Sequence, residues 1–118
     1  MTDKYDDALG TQLAMNSQTW AQLTEHGVDP DTELRLGFLY WCPGKAAAEA
    51  LSQELTSLGY AVECERRGSL LRRVWAVEGE TPPSTWSLEK LNVWVTEMVG
   101  RARAHQSEFD GWGASVPG

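Results

Sequence analysis

Two carboxylates near the end of the chain have the spacing of an acid–base couple. Glu108 and Asp110 are two positions apart, and alternate residues of a strand share a face, so their side chains would be neighbours. His105 stands close by as a candidate base. Acids at a strand end are more often solvated or capping groups, however, and His105 falls at a predicted helix C-terminus, where the helix dipole favours a cationic side chain. The structural interpretation is favoured, and no catalytic residue is predicted.

Cys42 is the candidate nucleophile, because a thiol at a helix N-terminus can have a lowered pKa. No base is identifiable beside it, which favours a buried thiol at the end of a strand. Without an export signal, Cys42 and Cys64 are expected as free thiols rather than as a disulfide. His26 and His105 stand apart from both cysteines, so neither a metal site nor a cofactor is expected.

Four arginines could grip a phosphate or RNA, because a guanidinium presents a planar fork of donors. They flank the tip of a predicted hairpin and are Arg66, Arg67, Arg72 and Arg73. Charges that keep sheet edges from pairing explain them equally well. The net charge of −7 argues against direct nucleic-acid binding by counterion release. An acidic surface suits a basic segment of a partner protein, although solubility alone also accounts for the charge.

Length and composition predict one folded domain over residues 1–118. The chain has an apolar fraction of 42% and six tryptophans, more than one small core easily buries, so one or two are expected at the surface. Charged residues interrupt every apolar run, which excludes a membrane span. The acidic, polar N-terminus does not resemble a secretory signal, so a cytoplasmic location is expected. The chain also lacks the Gly-rich phosphate loop and the common hydrolase motifs, and we expect it not to be an enzyme.

Hydrophobic periodicity and turn residues divide the chain into helices and strands. In the first strand Leu34, Leu36, Phe38 and Tyr40 alternate with other residues, which predicts one fully apolar face. The predicted elements are helix 10–27, strand 33–41, helix 42–58, strands 60–66 and 70–78 joined by a turn at 67–69, a connector at 79–83, helix 84–105 capped by Ser84 or Thr85, and a short strand 106–109. Residues 1–8 and 114–118 are expected to be loose ends.

The order of these elements predicts an α+β fold. Two β-α-β crossovers around a hairpin form a ferredoxin-like sandwich, a four-stranded antiparallel sheet with two helices on one face. The last strand is expected beside the first, in the interior of the sheet. The additional N-terminal helix precedes this unit and could cover the second face or an edge.

The segment that follows the last predicted strand has an unusual composition. It reads Glu108-Phe109-Asp110-Gly111-Trp112-Gly113. Asp-Gly favours a turn, since Asp accepts backbone N–H groups and Gly tolerates a positive φ. We therefore predict a locking turn in which Asp110 caps the backbone while Phe109 and Trp112 pack inward. An exposed recognition loop is the alternative.

Asn16 lies on the apolar stripe of the first predicted helix, between Leu13 and Trp20. A polar amide there is expected to be buried and hydrogen-bonded to a neighbouring segment. The alternative is contact with a partner or ligand. The candidate interaction surface consists of Asn16, Trp41, Arg66, Arg67, Arg72 and Arg73.

The sequence resembles the regulator of ribonuclease activity B (ribonuclease E inhibitor) family over roughly residues 12–116. The similarity rests on Leu36-Gly37-Phe38-Leu39-Tyr40-Trp41 followed by Pro43 and an alanine-rich helix, on Leu55-x-x-Leu58-Gly59-Tyr60-x-Val62, and on Glu108-Phe109-Asp110-Gly111-Trp112-Gly113. The last motif is the most specific and carries Phe109 where the family usually has Tyr. The hairpin is more basic than is usual in the family.

The resemblance implies a non-catalytic α+β protein that binds the bacterial endoribonuclease E outside its catalytic centre and so modulates RNA decay. Two other functions remain open. One is an adaptor or immunity-type module with a different protein partner. The other is a small-molecule site formed by Asn16, Cys42 and Asp110.

Overall fold

The computed structural model describes residues 3–69 and 72–116, except for the side chains of Ser69, Arg72 and Arg73. Its elements in chain order are α1 (Lys4–Glu25), β1 (Glu33–Cys42), α2 (Lys45–Ser57), β2 (Ala61–Ser69), β3 (Arg72–Glu80), β4 (Ser84–Thr85), α3 (Leu88–Ala104) and β5 (Glu108–Ser115). The predicted α+β class and the additional N-terminal helix are confirmed, whereas the described residues form a sheet of five strands and not the predicted four.

The sheet is antiparallel and is built around β1. One side of β1 pairs with β3, from Gly37 opposite Glu80 to Cys42 opposite Trp75, and β2 extends the sheet beyond β3. β4 pairs with the first residues of β1, where β3 has ended. β5 pairs with β1 alone among the described strands. The last strand therefore lies beside the first, as predicted, but at an edge and not in the interior.

Strict alternation in β1 produces the core. Its residues at even positions are buried and those between are half-buried, because successive side chains of a strand point to opposite faces. The buried set is Leu34, Leu36, Phe38, Tyr40 and Cys42. Each such side chain contributes about 1.5–3 kcal/mol by leaving water. We call this side of the sheet the covered face and the other side the open face.

The two crossover helices both pack on the covered face. α2 buries Ala48, Leu51 and Leu55, and the Tyr40 hydroxyl donates a hydrogen bond to the carbonyl oxygen of Met98 in α3 at 2.8 Å. A salt bridge of 3.3 Å between Arg101 and Glu54 joins the helices to each other. The predicted placement of two helices on one face is confirmed.

Residues 4–8 and 114–115 belong to regular elements, although they were predicted to lie in loose ends. α1 begins at Lys4 because the Asp3 carboxylate accepts hydrogen bonds from the backbone N–H groups of Tyr5 and Asp6 and pairs with Arg103 of α3 at 2.7 Å. This N-cap was not recognised, so the prediction of a loose start was wrong for residues 4–8. At the other end, β5 includes residues 114 and 115, while Pro117 and Gly118 lie outside the described residues.

Two predicted boundaries in the second half are also wrong. Residues 67–69 continue β2 instead of turning, with Gly68 opposite Arg73, and residues 70 and 71 lie outside the described chain. α3 is capped by Ser87, whose hydroxyl accepts the Lys90 N–H at 3.1 Å, because Ser84 and Thr85 are already paired with β1. Strand pairing decided both positions, within the β2–β3 hairpin in the first case and with the distant β1 in the second.

Most of the six tryptophans are half-buried. Trp94 is buried, and the half-buried ones are Trp20, Trp41, Trp75, Trp86 and Trp112. Instead of one or two tryptophans at the surface, five tryptophans are partly exposed.

Candidate functional site

The motif at residues 108–113 forms a bulged strand and not a turn. Phe109 lies opposite Tyr40 and Gly111 lies opposite Leu39, so Asp110 is an extra residue in β5. The backbone φ of Gly111 is 137°, a conformation that residues with a side chain rarely adopt. An extra residue reverses the side-chain alternation of a strand. The bulge therefore turns Phe109 and Trp112, three positions apart, toward the same face.

Phe109 completes the aromatic core of the covered face. Its ring lies 5.2 Å from the Tyr40 ring and 6.2 Å from the Trp94 ring, both in edge-on arrangements, and only 7% of the residue is exposed. Edge-on pairs are favourable because the positive ring edge meets a negative ring face. The inward packing predicted for Phe109 is confirmed, although a strand produces it and not a locking turn.

Trp112 joins three elements through Asn16. The Trp112 indole N–H donates to Asn16 Oδ1 at 2.8 Å, and Asn16 Nδ2 donates to Asn92 Oδ1 of α3 at 3.0 Å. Asn16 is fully buried. The prediction of a buried and paired amide is confirmed, and Asn16 is not accessible for direct contact with a partner.

Asp110 does not cap the backbone. It is exposed, and its carboxylate makes no hydrogen bond to any residue that the structure describes. Only its carbonyl oxygen is engaged, as the acceptor of a 3.5 Å hydrogen bond from Gln12 Nε2 in α1. The capping role predicted for Asp110 was wrong, and its charge is available to a partner.

The acid–base constellation suggested by the sequence is not assembled. His105 Nε2 lies 3.5 Å from Glu54 Oε1 of α2. In a regular strand Glu108 and Asp110 would point to the same face. Asp110 is the extra residue of the bulge, so this alternation is interrupted between the two carboxylates. Burial raises the pKa of the Cys42 thiol, which favours the protonated, less nucleophilic form.

The two cysteines are free, as predicted. Cys42 is buried and Cys64 is half-buried. The small-molecule pocket considered as an alternative near Asn16, Cys42 and Asp110 does not form, because Asn16 and Cys42 are buried in the core. A cavity of about 200 Å³ lies between the start of α1 and α3 and reaches Phe109.

A larger groove of about 1070 Å³ reaches from α1 across β5, β1 and β3 to β2. Its residues on the open face include three glycines. Gly113 lies opposite Gly37, and Gly111 lies opposite Leu39, the next open-face residue of β1. Gln12, Met15 and Thr19 of α1 form one wall. The groove thus includes four residues of the motif at 108–113.

Acidic residues dominate the charge of this groove. Its lining contains four carboxylates, Glu63, Glu78, Glu80 and Asp110, and no Lys, Arg or His. Glu80 pairs with Arg35 at 3.4 Å and Glu78 pairs with Arg67 at 2.7 Å. Glu63 and Asp110 form no ion pair within the described chain. The groove therefore keeps uncompensated negative charge at both of its sides.

Of the four arginines predicted to form an interaction surface, Arg67 is held in ion pairs within the fold. Arg67 contacts both Glu78 and Glu65, and the hydrogen bonds to Glu78 and then Glu65 raise its pKa further. Arg66 is exposed. The backbones of Arg72 and Arg73 belong to β3, and their side chains lie outside the described residues.

Trp41 takes part in the open face. It is half-buried and lies opposite Glu108 on one side and Ala76 on the other. It therefore stands two residues along β1 from Leu39, which lines the groove.

Sequence reasoning missed the groove itself. Its carboxylates come from β2, β3 and β5, which only the sheet brings together, and its wall comes from Gln12 and Met15 of α1. The alternation in β2 and the pair Glu78 and Glu80 in β3 did signal a polar face. Which face the additional helix would border could not be deduced.

Neither a metal cluster nor a membrane helix is found in the described residues. No group of three or more His, Cys, Asp or Glu side chains there could hold a metal ion. No helix there is long and apolar enough to cross a membrane.

A small α+β domain with an uncovered, acidic sheet face has the features of a protein-binding module. The family model for the regulator of ribonuclease activity B matches residues 13–114. The match covers most of the chain, and the protein belongs to this family. No curated protein matches the chain.

Proposed function

We propose that this protein modulates an endoribonuclease of the ribonuclease E type by binding it, without catalysing a reaction itself, and so affects RNA turnover in the cytoplasm. The observation that carries the proposal is the family match over residues 13–114, which includes the most specific motif. A regulator of ribonuclease activity acts on a protein, and the acidic groove beside this motif favours a protein partner over RNA, because carboxylates repel phosphates.

The residues that could have done chemistry are committed to the fold, which supports a binding role. His105 contacts Glu54, and Cys42 is buried with a raised pKa. The aromatic residues of the motif stabilise the core and the position of α1, whereas Asp110 and the neighbouring glycines face the groove.

A cleavage assay with purified endoribonuclease E tests this function. We expect the cleavage rate to fall to a plateau as the protein is added, and the two proteins to co-purify. An unrelated ribonuclease acting on the same RNA is the control, since a protein that merely coated the RNA would slow both enzymes. Unchanged cleavage at saturating protein would refute the proposal.

The second candidate is an adaptor or immunity-type module with a different protein partner. The groove favours it as well, because four carboxylates and a glycine floor select a basic protein segment and not a ribonuclease in particular. A quantitative pull-down in which one non-ribonuclease protein is retained in equal molar amount, while endoribonuclease E is not, would decide for the adaptor.

We further propose that the sheet is of the ferredoxin-like type and that the chain is one cooperative domain. The pairing of β1 with both β3 and β5, and of β2 with β3, supports this topology. One buried cluster that draws on α2, α3 and the sheet supports a single unit. Denaturant unfolding followed by circular dichroism and by tryptophan fluorescence should show coincident transitions, and separate transitions would contradict a single domain.

A further inference from the structure

We propose that the groove on the open face, bordered by α1, binds a segment of the partner protein that carries arginine or lysine. This rests on the proposed function for the kind of partner, and it adds the surface and the chemistry of the contact. The groove lining contains four carboxylates and no basic residue. Oppositely charged surfaces steer association and select the partner.

The floor of the groove is shaped for close approach. A Cβ atom added to Gly113 would meet no heavy atom within 4 Å, and one added to Gly37 would meet only backbone oxygens, at 3.8 and 3.9 Å. The space above these glycines is therefore open. A long basic side chain lays its apolar stem along such a surface and keeps its charged end among polar groups. Leu39 and Met15 provide apolar contacts at the sides of this floor.

Gln12 adds an acceptor to the groove wall. The residue is only 8% exposed, and its Nε2 donates a hydrogen bond to the carbonyl oxygen of Asp110 at 3.5 Å. Its Oε1 accepts no hydrogen bond from any described residue. This oxygen is open to the groove, so a ligand that carries N–H donors can reach it.

The charged groups of the groove and the free amide oxygen of Gln12 are acceptors. Glu63 and Asp110 form no ion pair with the described residues, and Gln12 Oε1 stands beside the bulge, 3.8 Å from the position that a Cβ atom on Gly111 would take. Arginine carries five N–H donors and lysine three, with no acceptor on either. A basic segment thus complements the groove, whereas a phosphate or an acidic peptide would be repelled.

The first experiment measures where a basic peptide binds. The probe is a synthetic twelve-residue peptide of about four Arg-Ala-Ala repeats, in which the arginine spacing lets alternate guanidinium groups face one surface. Binding to the full chain is followed by NMR through backbone amide resonances. We expect saturable shifts at Gly37, Gly111 and Gly113 and none at Gly100. Shifts confined to the acidic first turn of α1, or no saturable shift, would overturn the proposal.

Two kinds of variant test the groove directly. Gly113→Leu fills the floor, and we expect it to weaken peptide binding by about tenfold or more, since a side chain then occupies the ligand's place. Gly100→Leu is the matched control, because Gly100 is exposed on α3 and a Cβ there also meets nothing within 4 Å. Equal weakening by the two variants would count against the groove.

The charge test uses a pair of double variants with the same net charge. Glu63→Gln with Asp110→Asn removes two groove charges, and we expect binding to weaken about fivefold to tenfold. Glu89→Gln with Glu97→Gln removes two exposed charges of α3 and should leave binding nearly unchanged. Similar losses in both would mean that only the overall charge matters. Unaltered circular dichroism spectra verify that each variant is folded.

The ribonuclease assay separates this proposal from the proposed function. If Gly113→Leu abolishes inhibition of endoribonuclease E while Gly100→Leu does not, both stand. If wild-type protein binds the peptide at the glycines but never inhibits the enzyme, the proposed function fails and the groove remains. If inhibition is intact in Gly113→Leu, the groove is not the contact. Self-association in sedimentation equilibrium that Gly113→Leu removes would mean that a second copy occupies the groove, which would also overturn the proposal.

Discussion

The two faces of the sheet are built from the same strands in opposite ways. On the covered face, Leu36, Phe38 and Tyr40 are buried, and the two aromatic rings among them contact aromatic residues of α3 and β5. On the open face, the register aligns Gly37 with Gly113 and with Glu80. Glycine within a strand costs about 0.5–1 kcal/mol relative to alanine. The stabilising contacts are thus concentrated on the covered face, whereas the open face presents glycines and carboxylates to the groove.

This difference teaches which substitutions should affect folding and which should affect binding. Side chains that point toward the helices stabilise the fold, and those in the groove contribute little to it. The motif at residues 108–113 contributes to both folding and binding. The bulge at Asp110 directs the aromatic residues of the motif to the covered face and its glycines to the open face. Neighbouring positions in the chain should therefore respond in opposite ways.

The largest contrast is expected between Phe38 and Leu39, which are adjacent in β1. Phe38 is 3% exposed, and Phe38→Ala should lower the free energy of unfolding by about 3–5 kcal/mol, because it removes buried area and leaves a cavity. Leu39→Ala on the open face should cost only about 1 kcal/mol. Denaturant unfolding at equilibrium measures both. Equal losses would show that the open face is covered in solution.

The next largest effect concerns the link between α1 and the covered face. Asn16→Ala removes the acceptor of the Trp112 indole N–H and the donor to Asn92. Leaving buried polar groups unpaired should cost about 1–3 kcal/mol. Ser17→Ala, at an exposed neighbouring position of the same helix, is the control and should be nearly neutral. A neutral Asn16→Ala would indicate that water replaces the amide.

A smaller contrast is expected within the bulge. Gly111→Ala should lower the free energy of unfolding by about 1–3 kcal/mol, since φ 137° is strained for any side chain. Asp110→Ala should change it by less than about 0.5 kcal/mol, because the exposed carboxylate makes no contact with the described residues. Thermal melting of both variants measures the difference. A large loss in Asp110→Ala would restore the capping role first predicted from the sequence.

The smallest effect is a pH dependence at the start of α1. Hydrogen bonds from the backbone N–H of Asp6, foremost, and then from Arg103 lower the pKa of Asp3 below its ordinary value of 3.8. A folded-state pKa below the unfolded value adds stability above that unfolded value, which is lost as pH falls through the folded pKa. The first turn of α1 should therefore loosen only in acid below pH 3.8.

An NMR titration of the Asp6 backbone amide reports the protonation of Asp3. Asp3→Asn is the control, because asparagine can still cap the helix but has no charge for Arg103. A midpoint at or above the ordinary value in the unchanged chain would contradict the lowered pKa. Loosening of α1 at the same pH in Asp3→Asn would show that other groups are responsible.

Local signals in the sequence predicted the elements well. The alternation of Leu34, Leu36 and Phe38 predicted β1 and its buried face, and the apolar stripes predicted α2 and α3 within a few residues. The family motif at residues 108–113 indicated the family. Gly59, with φ 93° just after α2, was also recognisable as a helix stop, since glycine is favoured there.

The failures share a physical cause, because each depends on a partner far away in the chain. Asp-Gly favours a turn locally, yet the backbone of Asp110 and Gly111 is held beside Leu39 and Tyr40 by strand pairing. Asp3 caps the N-terminus of α1, and its carboxylate forms a salt bridge with Arg103 of α3, a hundred positions along the chain. The groove could not be predicted, since its wall and its carboxylates come from four separate elements.

The sequence by itself determined which residues would be buried in β1, where the helices would run and to which family the chain belongs. It did so because periodicity and short motifs are local properties of the chain. Only the tertiary structure decided that the motif at 108–113 is a bulged strand, with its aromatic residues in the core and its glycines beneath an acidic groove. Burying Phe109 and Trp112 on one face requires the extra residue at Asp110, and that requirement arises only when β5 pairs with β1.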